Sequence, residues 1–151
     1  MLAARWLAPR LRPEDSLWDS GGEYTRLDLA QADFHPWAYD PNTESFGHPE
    51  GRTPDWLVLH ESPLPMYTSV PTIIEQLAKS RYLLVRMIPA TMRRPGSAVY
   101  DPQDAFFMPV SGFSTVRRPG PTIRIYRHRD APPLSLGDGA QALTDDEDVG
   151  R

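Results

Sequence analysis

His60 and Glu61 end the apolar run Asp55-Trp56-Leu57-Val58-Leu59-His60-Glu61, where titratable side chains meet a stretch that reads as a buried strand. In open α/β sheets ligands bind outside the carboxyl ends of strands, so both residues are candidate ligand contacts. Successive strand residues face opposite ways, so the two cannot share one metal ion or one substrate atom without a bend at Ser62-Pro63. A hydrogen-bonded histidine at a strand end is the structural alternative. Asp101 and Asp104, in Tyr100-Asp101-Pro102-Gln103-Asp104, have a spacing that suits a shared divalent cation or a carboxylate pair for glycoside hydrolysis. The same aspartates would also cap turns in a proline-containing loop. Phe106, Phe107 and Phe113 precede Arg117 and Arg118, so the rings could stack on a sugar while the guanidinium groups clamp a phosphate. Packed phenylalanines with exposed arginines are the plainer reading.

Other chemistries lack their residues. Asp19 before Gly21-Gly22 has the look of a phosphate turn, but no glycine-rich fingerprint follows. No serine sits in a G-x-S-x-G elbow, and the histidines at 35, 48, 60 and 128 have no zinc-binding spacing. With no cysteine, thiolate metal sites, disulfides and cysteine nucleophiles are excluded. The expectation is therefore no metal, no cofactor and no assignable catalytic residue.

These residues must be held by a small set of elements. Leu2, Trp6, Leu7 and Leu11 suggest a short opening helix that Pro9 disturbs. Ser16-Leu17-Trp18-Asp19 reads as a strand ending in a glycine turn, and residues 24–29 as a second short strand. From Ala30 to Pro54 the prolines predict a long loop held by Trp37, Tyr39 and Phe46. After the central strand, Ser69 and Pro71 mark a helix start, Thr72 and Glu75 fit a capping box, and Val70, Ile73, Ile74 and Leu77 form its stripe. Residues 82–88 read as another buried strand, and residues 122–128 alternate, with Ile123 and Ile125 on one face. The two are expected to pair antiparallel. The fold class is α/β: a small, loop-rich layered sheet of about five strands with a βαβ crossover and a C-terminal antiparallel pair.

Charge divides the 151 residues further. Residues 1–80 carry −6, residues 81–129 carry +7, and residues 130–151 carry −5. Residues 1–129 are expected to form one domain and residues 130–151 an acidic, disordered tail. Fifteen of the sixteen cations are arginine, yet they are too interrupted for a nucleic-acid footprint, and the overall charge is −4. No run approaches the roughly 18 to 20 apolar residues of a membrane span.

The stretch from Tyr100 to Phe113, followed by Arg117-Arg118-Pro119-Gly120-Pro121-Thr122-Ile123-Arg124-Ile125-Tyr126, resembles the closing segment of bacterial multi-span glycosyltransferases. These are the relatives of dolichyl-phosphate-mannose protein mannosyltransferases that use polyprenyl-phosphate-sugar donors. Trp6-Leu7, residues 16–19, Pro54-Asp55-Trp56-Leu57-Val58 and Glu61-Ser62-Pro63-Leu64-Pro65-Met66-Tyr67 fall in the order of the soluble domain that follows their last span. The resemblance implies a domain on the extracytoplasmic face beside the membrane-embedded part. It carries no catalytic residue, because that family's catalytic acid lies between early membrane helices. The expected function is a non-catalytic accessory domain partnered with that membrane portion and contacting sugar-phosphate or acceptor. A free protein-interaction module and a carbohydrate-active hydrolase are the alternatives.

Overall fold

The computed structural model describes residues 2–21, 25–47, 51–62, 70–90, 99–100, 109–111, 116–118 and 120–133. In chain order these form α1 (Leu2–Leu7), β1 (Ser16–Asp19), β2 (His35–Pro36), β3 (Trp56–Glu61), α2 (Thr72–Arg81), β4 (Tyr82–Ile88), β5 (Val99–Tyr100), β6 (Pro109–Ser111) and β7 (Thr122–His128). Every β3 residue from Trp56 to His60 is buried, so both faces of the strand need a cover. On one face α1 packs Ala3, Ala4 and Leu7 with Trp56, Val58, Ile123 and Ile125. Pro9 then turns the chain into a single 3-10 turn, Ala8–Arg10, because it cannot extend the α-helical hydrogen-bond ladder. On the other face α2 lays Ile74 and Ala78 on Leu57, Leu59 and Tyr126. Each fully buried Leu or Val of β3 contributes about 1.5 to 3 kcal/mol relative to exposure.

The five-stranded sheet has the order β2-β1-β3-β7-β4. β1 runs parallel to both its neighbours, and β7 runs antiparallel to β3 and β4. β3, α2 and β4 therefore form the expected crossover, with β7 inserted between its strands. β5 and β6 make a separate antiparallel pair. The mixed α/β sheet read from the sequence is the fold observed.

Three local expectations change. Residues 25–29 are not a strand, since the Leu27 N–H donates to Asp19 Oδ2 at 2.9 Å instead of joining a ladder. The Thr72–Glu75 capping box does not form: Pro71 is the N-cap, and its carbonyl accepts from Ile74 and Glu75 at 2.9 and 3.2 Å. β4 is not buried. It is the outer strand of the sheet, and Leu83, Leu84 and Met87 are 54%, 50% and 53% exposed. Residues 134–151, most of the expected acidic tail, lie outside the described residues.

Hydrogen bonds lock the amino ends of the central strands. Ser16 donates to Asp55 Oδ2 from its N–H (2.8 Å) and its hydroxyl (2.6 Å), and the Asp55 N–H donates back to Ser16 Oγ at 3.0 Å. Asp15 Oδ2 accepts from Trp56 Nε1 at 3.1 Å and from the Arg12 N–H at 3.0 Å. The Arg127 guanidinium lies 4.7 Å from the Trp56 ring centroid, a desolvated cation–π contact, and burial lowers its pKa. Tyr82 donates its hydroxyl to the buried Pro54 carbonyl at 2.5 Å.

Burial holds the Tyr82 hydroxyl well above its ordinary pKa of about 10. The folded chain thus binds that proton more tightly than the unfolded chain, so the associated stability is complete below about pH 10 and falls as pH rises further. Tyr82→Phe leaves the Pro54 carbonyl unsatisfied and is expected to cost about 1 to 3 kcal/mol at pH 7. Urea denaturation from pH 8 to 11 should also show a weaker alkaline decline in the variant than in the native chain.

Candidate functional site

The β1–β3 register pairs Leu17 with Trp56 and Asp19 with Val58. Asp19 and His60 therefore share one face at the carboxyl ends of two parallel strands. Asp19 Oδ1 lies 2.8 Å from His60 Nε2, with the two side chains 7% and 0% exposed. The contact lacks hydrogen-bond alignment, and Nδ1 likewise has no hydrogen-bond partner among the described residues. Asp19 also accepts the Gly21 N–H on Oδ1 at 2.7 Å and the Leu27 N–H on Oδ2, while the His60 N–H donates to Ser20 Oγ at 2.8 Å. One carboxylate thus draws the chain after β1 back over the strand end. A Cβ on Gly21 would stand 2.7 Å from Arg26 backbone atoms and 2.9 Å from Asp19 Oδ1, so this return fits only glycine.

The chain that returns makes the wall of a cleft of about 710 Å³, within the usual range for ligand sites. β2 pairs with β1 only as far as Leu17, so Trp18 and Asp19 extend beyond it along the open edge. Phe34, Trp37 and Tyr39 line the cleft and are half-buried, and Arg26 is exposed at its rim. Packed rings support this lining. Phe46 meets Trp18, Trp37 and Tyr39 at centroid distances of 5.9, 6.1 and 5.3 Å. Such pairs each contribute about 0.5 to 1.5 kcal/mol beyond burial. The bridge between Asp40 and Ser45, closed through Glu44 at φ 50°, brings the Tyr39 and Phe46 segments together. Burial, then the nearby Glu44 and Asp40 carboxylates, raise the Tyr39 pKa, so its hydroxyl remains a donor across the physiological range. A ring-lined cleft with a hydroxyl donor and a rim guanidinium can hold a flat-faced ligand bearing hydroxyl or anionic groups.

Among the described residues, those singled out in the sequence do not converge. His60 is sealed beside Asp19, whereas Glu61 faces α2, where its carboxylate lies 3.5 Å from Arg124 and Glu75 lies 3.2 Å from the same guanidinium. Arg118 reaches inward, donating to the carbonyls of Ile88 at 3.1 Å and Pro121 at 2.5 Å, and burial lowers its pKa. Arg117 is exposed, with its N–H donating to the Ala90 carbonyl at 2.8 Å. Asp101, Asp104 and Phe107 lie outside the described residues. Among the described residues no three His, Cys, Asp or Glu side chains form a metal-holding group, and no helix is long and apolar enough to cross a membrane.

Sequence reasoning missed Asp19 as an organiser and Arg26, Trp37 and Tyr39 as cleft residues. The Asp19-x-Gly21 spacing does signal a side-chain-capped turn, but the His60 contact depends on a cross-strand register that no local pattern carries. No family model, curated protein or solved structure matches the chain.

Gly21→Ala is expected to destabilise the protein by about 1 to 3 kcal/mol through overpacking against backbone. Thermal denaturation of the variant checks this, and an unchanged melting temperature would contradict the close approach.

Proposed function

We propose that this domain is a non-catalytic binding module that holds a phosphorylated sugar in the cleft at the end of β1. The observation carrying this reading is the grouping of Phe34, Trp37 and Tyr39 with the Arg26 guanidinium at the rim. A sugar ring has an apolar C–H face that packs on aromatic rings and a polar edge that needs donors; Tyr39 supplies one. Arg26 suits phosphate, because its planar fork can make two charge-assisted hydrogen bonds. A purely binding role is favoured because His60 is buried and both Asp19 oxygens already accept backbone N–H groups. The resemblance to polyprenyl-phosphate-sugar glycosyltransferases adds the setting: an accessory domain that retains sugar-phosphate or acceptor near a membrane-embedded partner.

Titration of the protein with a hexose 1-phosphate, followed by tryptophan fluorescence, tests this reading. Binding should perturb the emission, and Arg26→Gln should weaken it by about 10- to 150-fold, as expected for loss of a charge-assisted bond of about 1.5 to 3 kcal/mol. The same substitution should leave binding of the neutral hexose unchanged. Trp37→Ala should weaken both, with circular dichroism confirming that the variant folds. No spectral response to hexose phosphate at millimolar concentration, or equal effects of Arg26→Gln on phosphorylated and neutral sugar, would overturn the assignment.

A further inference from the structure

The cleft at the end of β1 has a neighbour across Trp37. The His35 N–H donates to the Asp15 carbonyl and the Trp37 N–H to the Leu17 carbonyl, both at 2.8 Å, so the chain is fixed against β1 at the two positions flanking Pro36. Ser16 pairs with His35, and alternation then places Ser16, Trp18, His35 and Trp37 on one face of the sheet. The Phe46 ring, which meets both Trp18 and Trp37, marks this as the α2 face. Toward the amino end of β1 a second cleft of about 510 Å³ is bordered by Glu14, His35, Arg52 and Asp55. Pro36 and Trp37 border both clefts, so one indole belongs to two cavities, each within the usual size range of a ligand site. The four residues of β1 span about 13 Å, more than one sugar ring covers.

The two cavities differ in their polar groups. The first has the Arg26 guanidinium at its rim and the Asp19 carboxylate, both of whose oxygens already accept backbone N–H groups. The second carries charges of both signs, with the Glu14 and Asp55 carboxylates beside the Arg52 guanidinium and the His35 imidazole. Glu14 and His35 are exposed, and their side chains have no hydrogen bond or ion pair among the described residues. Two carboxylates with one arginine do not favour a phosphate. Acceptors and donors in one cleft do suit the hydroxyls of an uncharged sugar unit, since each hydroxyl both donates and accepts. Trp37 adds an aromatic surface for the apolar face of such a ring.

We infer that the second cleft is a subsite for an uncharged sugar unit, so that the domain takes an oligosaccharide phosphate: its phosphate at Arg26, the adjoining sugar on Trp37 and Tyr39, and the next unit across Trp37 beside Glu14 and His35. This deepens the reading of the first cleft as a sugar-phosphate site and rests on it. The two ends of the ligand are told apart by charge, because the carboxylates are concentrated at the end away from Arg26.

Titrations of the full chain with glucose 1-phosphate, maltose 1-phosphate and cellobiose 1-phosphate, followed by tryptophan fluorescence, test this inference. At least one disaccharide phosphate should bind more tightly than glucose 1-phosphate by about tenfold or more, the gain expected from added hydrogen bonds to charged groups. Glu14→Gln combined with His35→Gln should erase that preference; both side chains are exposed, and circular dichroism checks that the variant folds. In histidine-ring NMR spectra the His35 signals should move with the disaccharide phosphate and stay in place with glucose 1-phosphate. If glucose 1-phosphate binds and neither disaccharide phosphate binds more tightly, the second subsite is overturned while the reading of the first cleft stands. Binding by none of the three overturns both. A preference that survives the double substitution, or His35 signals that do not respond, also overturns the subsite, because the second sugar would then lie elsewhere.

Discussion

A strand buried on both faces imposes more on this chain than any other feature. Residues 56–60 of β3 have no access to water, so each backbone polar group there must be paired laterally, and each side chain must be covered from above or below. Lateral pairing comes from β1 on one side and β7 on the other; vertical cover comes from α1 and α2. Because β1 and β3 are parallel, their carboxyl ends coincide, and Asp19 and His60 are brought together as a by-product of burying Trp56 to Leu59. The candidate site is thus a consequence of core formation.

Elements whose identity rests on their own residues were legible in the sequence. β3 and β7 show their patterns of apolar residues, and α2 is legible as a helix between a proline start and the following strand, although its buried residues are Ile74 and Ala78 while Ile73 is exposed. β4 was legible as a strand but not as an edge, because Tyr82-Leu83-Leu84-Val85-Arg86-Met87-Ile88 has the apolar content of a central strand. Its position follows from β7 entering between β3 and β4, a choice made some thirty residues later in the chain. The two-residue β2 carries no pattern at all and is defined only by pairing with Ser16 and Leu17.

The same distinction applies to the site. Glu61 and Arg118 have the chemical type of ligand contacts, yet both are engaged within the protein, the exposed Glu61 beside Arg124 and Arg118 holding two carbonyls. Trp37 and Tyr39 anchor the loop, as their ring chemistry predicts, and their other surfaces line the cleft. Chemical type reveals what a side chain can do; only register and burial reveal whether it is free to do it. The Asp19 carboxylate illustrates the point, since its capacity is largely consumed in shaping the chain that forms the cleft wall.

The Ser16–Asp55 clasp has a consequence for how such a domain could diversify. It fastens the start of β1 to the start of β3, so the intervening segment, cleft wall included, departs from and returns to two fixed points. The entropy of closing a loop rises only slowly with length, by about 0.6 kcal/mol per doubling. Insertions or deletions in the exposed turns between Gly21 and Pro54, away from β2 and from the buried Leu27, Leu29 and Phe46, would therefore leave the sheet and both helical layers largely undisturbed. The clasp leaves the exposed turns of the cleft wall free to vary in length while the scaffold stays fixed, an arrangement that lets surface loops diverge without renegotiating folding.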